Sequence, residues 1–213
     1  MTDAEALRAG PVADAIRQHR LLVVLRRVQP RDALLVLVDG LREAGARIFE
    51  ITMDAPAAAD DLRAVREHVG ADALIGAGTV LTPGQLEVAR NAGASFVVAP
   101  VLDLELGATA VRGGIPFIPG AMTPTEVGAA WAAGATFVKL FPASAVGPSF
   151  VREVRGPLPE VQLIPTGGID ATNAGAFLDA GAVAVGIGGA IVRAEAAARR
   201  ELVASIAGPR AEA

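Results

Sequence analysis

Gly134-Ala135-Thr136-Phe137-Val138-Lys139-Leu140-Phe141-Pro142 reads as a helix-ending glycine followed by a short apolar strand, 136–141. Glycine fits the left-handed conformation that ends a helix and turns the chain back. The same unit recurs along the chain. Candidate caps stand at Gly45, Gly70, Gly93, Gly114, Gly134, Gly156 and Gly181, spaced 20 to 25 residues apart. Strands are predicted after them at 47–52, 73–78, 95–99, 115–118, 136–141, 161–165 and 182–187. The Gly156 unit is the weakest, because Pro157 and Pro159 lengthen its loop. A first strand, 21–25, is the unalternating run Leu-Leu-Val-Val-Leu, as in a strand covered on both faces. Helices are expected at 30–44, 57–69, 83–92, 103–112, 123–133, 149–155 and 171–180, with 192–206 closing the chain. Regular β–α alternation implies parallel strands, and eight units imply an α/β fold of the (β/α)8 TIM-barrel type. An open doubly wound sheet usually carries a Gly-rich turn after its first strand; here that turn is Arg26-Arg27-Val28-Gln29-Pro30. Residues 3–19 are expected as an extra N-terminal helix, with Ala4, Leu7, Val12 and Ile16 near one face despite Pro11. No linker divides the chain, so residues 1–213 read as one domain.

Composition narrows the function. Hydrophobic residues make up 52% and aromatics only 4%, so the core is mostly Ala, Val, Leu and Ile. A net charge of −4 leaves no basic stripe for nucleic acid. With no Cys there is no disulfide, thiolate chemistry or Cys-based metal site. His19 and His68 lie in polar helical contexts, and no His/Asp/Glu cluster has metal-ligand spacing. No apolar run approaches the roughly 20 residues of a membrane span, and Asp3 and Glu5 do not suit a signal peptide. A soluble cytoplasmic protein with no membrane partner is expected.

Lys139 is the only lysine among 19 basic residues; the rest are arginine. Arginine does not deprotonate in a protein and so is no nucleophile, whereas a desolvated lysine can be one. The chemistry that a buried amine allows is Schiff-base formation with a ketone or aldehyde. The alternative is a strand-end residue that snorkels to solvent, or a buried ion-pair partner. In these barrels active groups lie at the C-terminal ends of strands, and phosphate is commonly held after strands 7 and 8. Those two ends read Pro165-Thr166-Gly167-Gly168 and Gly186-Ile187-Gly188-Gly189. Glycine there lets backbone N–H groups approach an anion, although tight turns alone also use it. Glu50 is a charge inside Ile48-Phe49-Glu50-Ile51-Thr52. It reads either as an ion-pair partner, for instance of Arg26, or as a general acid/base beside Lys139. Arg26 reads as a fork for a substrate carboxylate or as a salt bridge to Glu50 or Asp54. Thr79 and Thr166 are hydroxyl donors at the mouth, on the weak ground that threonine is common at strand ends. Ser144 lies in the loop after Lys139.

Five motifs occur in order: Glu50-Ile51-Thr52, Gly76-Ala77-Gly78-Thr79-Val80, Ile118-Pro119-Gly120 with Thr123-Pro124-Thr125-Glu126, Lys139-Leu140-Phe141-Pro142-Ala143, and Pro165-Thr166-Gly167-Gly168-Ile169. The chain from about residue 20 to 193 thereby resembles the 2-keto-3-deoxy-6-phosphogluconate (KDPG) aldolase family, which includes the 6-phosphogalactonate and 4-hydroxy-2-oxoglutarate aldolases. The resemblance implies a class I aldolase with Lys139 as the Schiff-base lysine and Glu50 as the general acid/base. Thr79, Pro100, Phe141 and Thr166 would line the pyruvate site, with Arg26 on a substrate carboxylate. Gly167, Gly168, Gly188 and Gly189, with Ser144, would hold phosphate. It also implies independence of metal, no cofactor, a small keto-acid substrate and a homotrimer. Many members that act on phosphogluconate carry Arg four residues after the catalytic Glu, where this chain has Asp54; others carry an Arg ending strand 1, as Arg26 does. A serine often found in the last phosphate loop appears as Gly189, and a common Ser before Pro100 is Ala99. These departures bear on substrate identity and phosphate affinity. Two rivals stay open: a phosphate-binding barrel isomerase without covalent catalysis, and a non-catalytic sugar-acid binder.

Overall fold

The computed structural model describes residues 1–207; the last residues of the expected single domain, 208–213, lie outside them. The apolar runs become the parallel strands β1 (Leu21–Leu25), β2 (Ile48–Thr52), β3 (Leu74–Gly78), β4 (Val97–Val98), β5 (Phe117–Ile118), β6 (Gly120–Ala121), β7 (Val138–Leu140), β8 (Leu163–Pro165) and β9 (Val185–Ile187). Two curled parallel sheets result, in the orders β5-β4-β3-β2-β1-β9 and β6-β7-β8. Six of the seven cap glycines adopt positive φ, from 60° at Gly70 to 109° at Gly45. Gly156 does not; its φ is −55°, and the two following prolines carry the chain into a longer loop.

The expected strand 115–118 is extended into two pieces. Pro119 has no N–H to give a ladder, and the chain changes sheets there. Phe117 and Ile118 pair with Val97 and Val98, whereas Gly120 and Ala121 pair with Lys139 and Leu140. The Pro119 carbonyl still accepts from the Lys139 N–H at 2.8 Å. At the opposite edges, Thr166 forms a parallel bridge with Gly186, and the Val183 N–H donates to the Leu163 carbonyl at 3.1 Å.

Alternation along a strand sorts the side chains. Leu21, Val23, Leu25, Phe49, Ile51 and Val97 belong to the large core under the helices. Leu22, Val24, Ile48, Phe96, Val98, Ile118, Phe137, Ile164 and Ala184 form a separate cluster on the concave side. The helices α3 (Arg31–Glu43), α4 (Ala58–Val69), α5 (Pro83–Asn91), α6 (Leu104–Arg112), α7 (Pro124–Ala132), α8 (Gly147–Arg155), α9 (Ala174–Asp179), α10 (Gly189–Arg193) and α11 (Ala196–Ala207) fall between or after the strands. Among the described residues no helix is long and apolar enough to cross a membrane.

The single helix expected at 3–19 is two, α1 (Asp3–Arg8) and α2 (Pro11–His19). Gly10 and Pro11 separate them, with Pro11 in the first turn of α2, where a missing N–H is tolerated. Ala13 and Ile16 of α2 close one end of the concave cluster. Arg8 fastens α1: its Nε donates to the Ala135 carbonyl at 2.9 Å, its Nη2 to the Trp131 carbonyl, and its guanidinium lies 3.6 Å from the Trp131 ring centroid. Arg8→Ala is therefore expected to destabilise the fold by about 2 kcal/mol, read as a lower urea midpoint with an unchanged slope.

Candidate active site

Lys139 follows Phe137 by two residues, and Glu50 follows Ile48 by two. Each charge therefore points to the concave side, one layer above an apolar residue of the inner cluster. Lys139 is 5% exposed and Glu50 is fully buried. Lys139 Nζ stands 4.0 Å from Glu50 Oε1 and 5.2 Å from the Phe141 ring centroid. Neither Glu50 oxygen has a hydrogen-bond partner among the described residues. Buried carboxylates are normally satisfied; the group facing this one is the Lys139 amine.

Space for that carboxylate comes from β3. Glu50 pairs in register with Gly76, and a Cβ at Gly78 would overlap the Glu50 carboxyl group. The second glycine of Gly76-Ala77-Gly78 is thus a packing requirement of the acid on the next strand. Sequence reasoning missed it, because the neighbour is fixed only by strand pairing.

Above the pair opens a cavity of about 350 Å³. Of the residues predicted for the site, it is lined by Lys139, Arg26, Phe141, Thr166, Gly167, Gly168, Gly188 and Gly189. Glu50 lies beneath it. Thr166 is 7% exposed, and its Oγ1 donates to the Ile164 carbonyl at 3.3 Å. Thr79, Pro100 and Ser144 are not in the lining. Thr79 sits at φ 56°, a left-handed conformation unusual for a β-branched residue, and its Oγ1 accepts from Arg26 Nη2 at 3.3 Å. Pro100 packs its carbonyl against Gly120, where a Cβ would overlap it. Ser144 is exposed; it braces the glycine loop from outside, with its N–H donating to the Gly167 carbonyl at 3.0 Å and its side chain against Gly168.

At the rim, Arg26 and Arg27 lie 3.2 and 3.3 Å from Asp54 Oδ2. Of the two ion-pair partners expected for Arg26, Asp54 is the one it meets and Glu50 is not, and the pair leaves the guanidinium half exposed at the rim. Burial opposes ionisation of Asp54, but the Thr52 hydroxyl and the two guanidinium groups outweigh it and hold its pKa below the usual value. Two charged lining residues were not foreseen, Asp170 and Arg193. Asp170 Oδ1 accepts from the Thr172 hydroxyl at 2.6 Å and the Thr172 N–H at 2.8 Å, which keeps Asp170 ionised. Arg193 lies four residues after Gly189, on the same helix face; that spacing was the available signal. Among the described residues no group of three or more His, Asp or Glu is placed to hold a metal ion.

A buried amine beside a buried carboxylate is an arrangement that suits Schiff-base chemistry with proton transfer close by. Gly78→Ala is expected to displace the Glu50 carboxyl, lowering stability by about 1–3 kcal/mol and reducing turnover. Urea melts and initial rates on the same preparation check both.

Residues 12–207 match the family profile described as "Aldolase: KDPG and KHG aldolase". The chain is 34% identical to 2-dehydro-3-deoxy-6-phosphogalactonate aldolase of Escherichia coli, over 82% of this chain and 85% of that one. It is 36% identical to 2-dehydro-3-deoxy-phosphogluconate aldolase of Treponema pallidum, over 76% and 77%. Among solved structures it resembles the KDPG aldolase of Legionella pneumophila with pyruvate captured as a covalent carbinolamine intermediate, at a TM-score of 0.81 and 28% identity, covering 98% of this chain and 99% of that one. The chain belongs to the KDPG and KHG aldolase family.

Proposed function

We propose that this protein is a class I aldolase that cleaves a 2-keto-3-deoxy sugar acid, with 2-keto-3-deoxy-6-phosphogluconate as substrate and pyruvate and glyceraldehyde 3-phosphate as products. The observation that carries this is the buried Lys139 amine 4.0 Å from an unsatisfied buried carboxylate, beneath a glycine-lined cavity. A non-covalent isomerase has no need of a desolvated amine, and a passive binder has no need of a buried acid beside it that lacks hydrogen bonds. The phosphogalactonate epimer is the second reading. Asp54 favours it, because that position is arginine in many members that act on phosphogluconate.

Lys139 Nζ attacks the C2 ketone to give a carbinolamine. The 4.0 Å gap exceeds a direct hydrogen bond, but one intervening oxygen, such as the carbinolamine hydroxyl, spans it. Glu50 protonates that hydroxyl, and water leaves to form the protonated imine. The Glu50 carboxylate then takes the proton of the C4 hydroxyl, the C3–C4 bond breaks, and its electron pair flows into the imine. The aldehyde departs and an enamine remains. Glu50 protonates C3, and hydrolysis frees pyruvate and the amine. Phe141 and Thr166 line the pyruvate portion, and Thr79 orients Arg26 for a carboxylate. Gly167, Gly168, Gly188 and Gly189 offer N–H groups to the phosphate, with Pro100 and Ser144 as outer support.

The two sheets are read as one closed (β/α)8 barrel of a single domain, its fifth strand broken at Pro119 and its seam carried by the Thr166–Gly186 bridge. The N-terminal helical segment is an addition to that barrel. A homotrimer is proposed, since Val101, Leu104 and Met122 are exposed apolar residues on two segments joined by the Gly120–Val101 backbone hydrogen bond. A cytoplasmic location is proposed because a substrate with both a carboxylate and a phosphate does not cross membranes unaided.

Incubation with pyruvate followed by borohydride is expected to leave one adduct, on Lys139, by intact and peptide mass. Lys139→Arg keeps the charge and should abolish it. Glu50→Gln should fold normally and slow turnover by about 10²–10⁴. A folded wild-type protein without an adduct would sink the covalent mechanism.

A further inference from the structure

We propose that Arg193 is the side chain that reads the distal phosphate of the substrate, and so sets the preference for phosphorylated over unphosphorylated keto acids. This rests on the aldolase reading of the site and adds a specificity residue to it. Arg193 ends the one-turn helix α10, four residues after Gly189. Its guanidinium folds back over Gly189: a Cβ at that position would lie 2.5 Å from Nη1 and 3.1 Å from Cζ. The missing side chain at Gly189 therefore creates the seat. From it Arg193 lines the cavity that holds Lys139 and an adjoining hollow of about 230 Å³ bounded by Val24, Arg26, Gly188, Gly189 and Val192.

The neighbouring arginines are committed elsewhere. Arg26 is held by Asp54 and Thr79, Arg27 by Asp54, and Arg31 by Asp61. Arg193 makes no hydrogen bond or ion pair with any described residue, so its planar fork of donors faces the cavity free. Asp170, the anion in the same lining, spends Oδ1 on Thr172. The backbone of a five-residue helix supplies little field of its own, whereas a guanidinium binds phosphate bidentately. The substrate pose of the aldolase reading sets which anion this is. The C1 carboxylate is bonded to the carbon that Lys139 attacks, whereas the phosphate lies four carbons away, toward the glycine loops where Arg193 sits.

The test compares kcat/KM for 2-keto-3-deoxy-6-phosphogluconate and for 4-hydroxy-2-oxoglutarate in the wild type, Arg193→Ala and Arg193→Lys. In Arg193→Ala the ratio should fall by about tenfold or more, through KM of the phosphorylated substrate, with Arg193→Lys intermediate. Calorimetry with inorganic phosphate reads the same contact without turnover: wild type binds, and Arg193→Ala binds at least about tenfold more weakly. Gly189→Ala should push the guanidinium aside and weaken phosphate binding in the wild type, with no further loss in Arg193→Ala. An unchanged ratio, equal phosphate affinities, no phosphate binding by the wild type, or equal effects of Gly189→Ala in both backgrounds would overturn the proposal. Failure of the aldolase reading shows separately, as wild-type protein that traps no pyruvate.

Discussion

Lys139 and Glu50 face each other across 4.0 Å on the concave side of the sheets, the carboxylate fully buried and the amine nearly so. Little of the surrounding architecture makes physical sense without that pair. Two opposite charges taken from water are costly unless they are matched or serve a reaction. Here the match is incomplete: the carboxylate lacks hydrogen bonds from the chain, and the amine stands just beyond direct bonding distance. The packing beneath is complete by contrast, with Ile48, Phe96, Phe137 and Ile164 forming a dry floor. Stability is supplied by the aliphatic layers, and the polar layer above them is left for chemistry.

The period of two along a strand delivers both groups to one place. Each follows an inward apolar residue by two positions, and the register aligns Glu50 with Gly76 and Lys139 with Gly120. Glycines recur where a neighbouring strand's side chain or backbone comes close. At Gly78 the room is taken by Glu50 itself, and at Gly186 by Thr166. A small residue on one strand is thus part of the placement of a large one on the next.

Around the rim the charges are set by strand order. Asp54 gathers Arg26 and Arg27 where β1 and β2 end. Arg193 and the glycine loops follow β8 and β9, and because β9 neighbours β1 in the sheet, Arg193 shares a hollow with Arg26.

Local requirements of the backbone were legible in the residues alone. Cap glycines, strand positions and the solitary lysine can be read because a left-handed turn, a buried apolar run and a nucleophilic amine each need particular residue types where they occur. The weakness of the Gly156 unit was legible for the same reason, through its prolines. The break in the fifth strand at Pro119, the division of the first helix at Gly10 and Pro11, the Asp54 hold on Arg26 and the reach of Arg193 over Gly189 were not. Pro119 and Pro11 each permit more than one outcome locally, and pairing with neighbours chooses among them. Ion pairs such as Arg26–Asp54 join residues 28 positions apart, so only the folded chain decides which alternative is taken. The sequence alone determined which chemistry was available, since one lysine and one strand-borne glutamate leave few choices. The tertiary structure decided how close they stand, what lies over them and which cation remains free, because those are distances between strands rather than properties of any one of them.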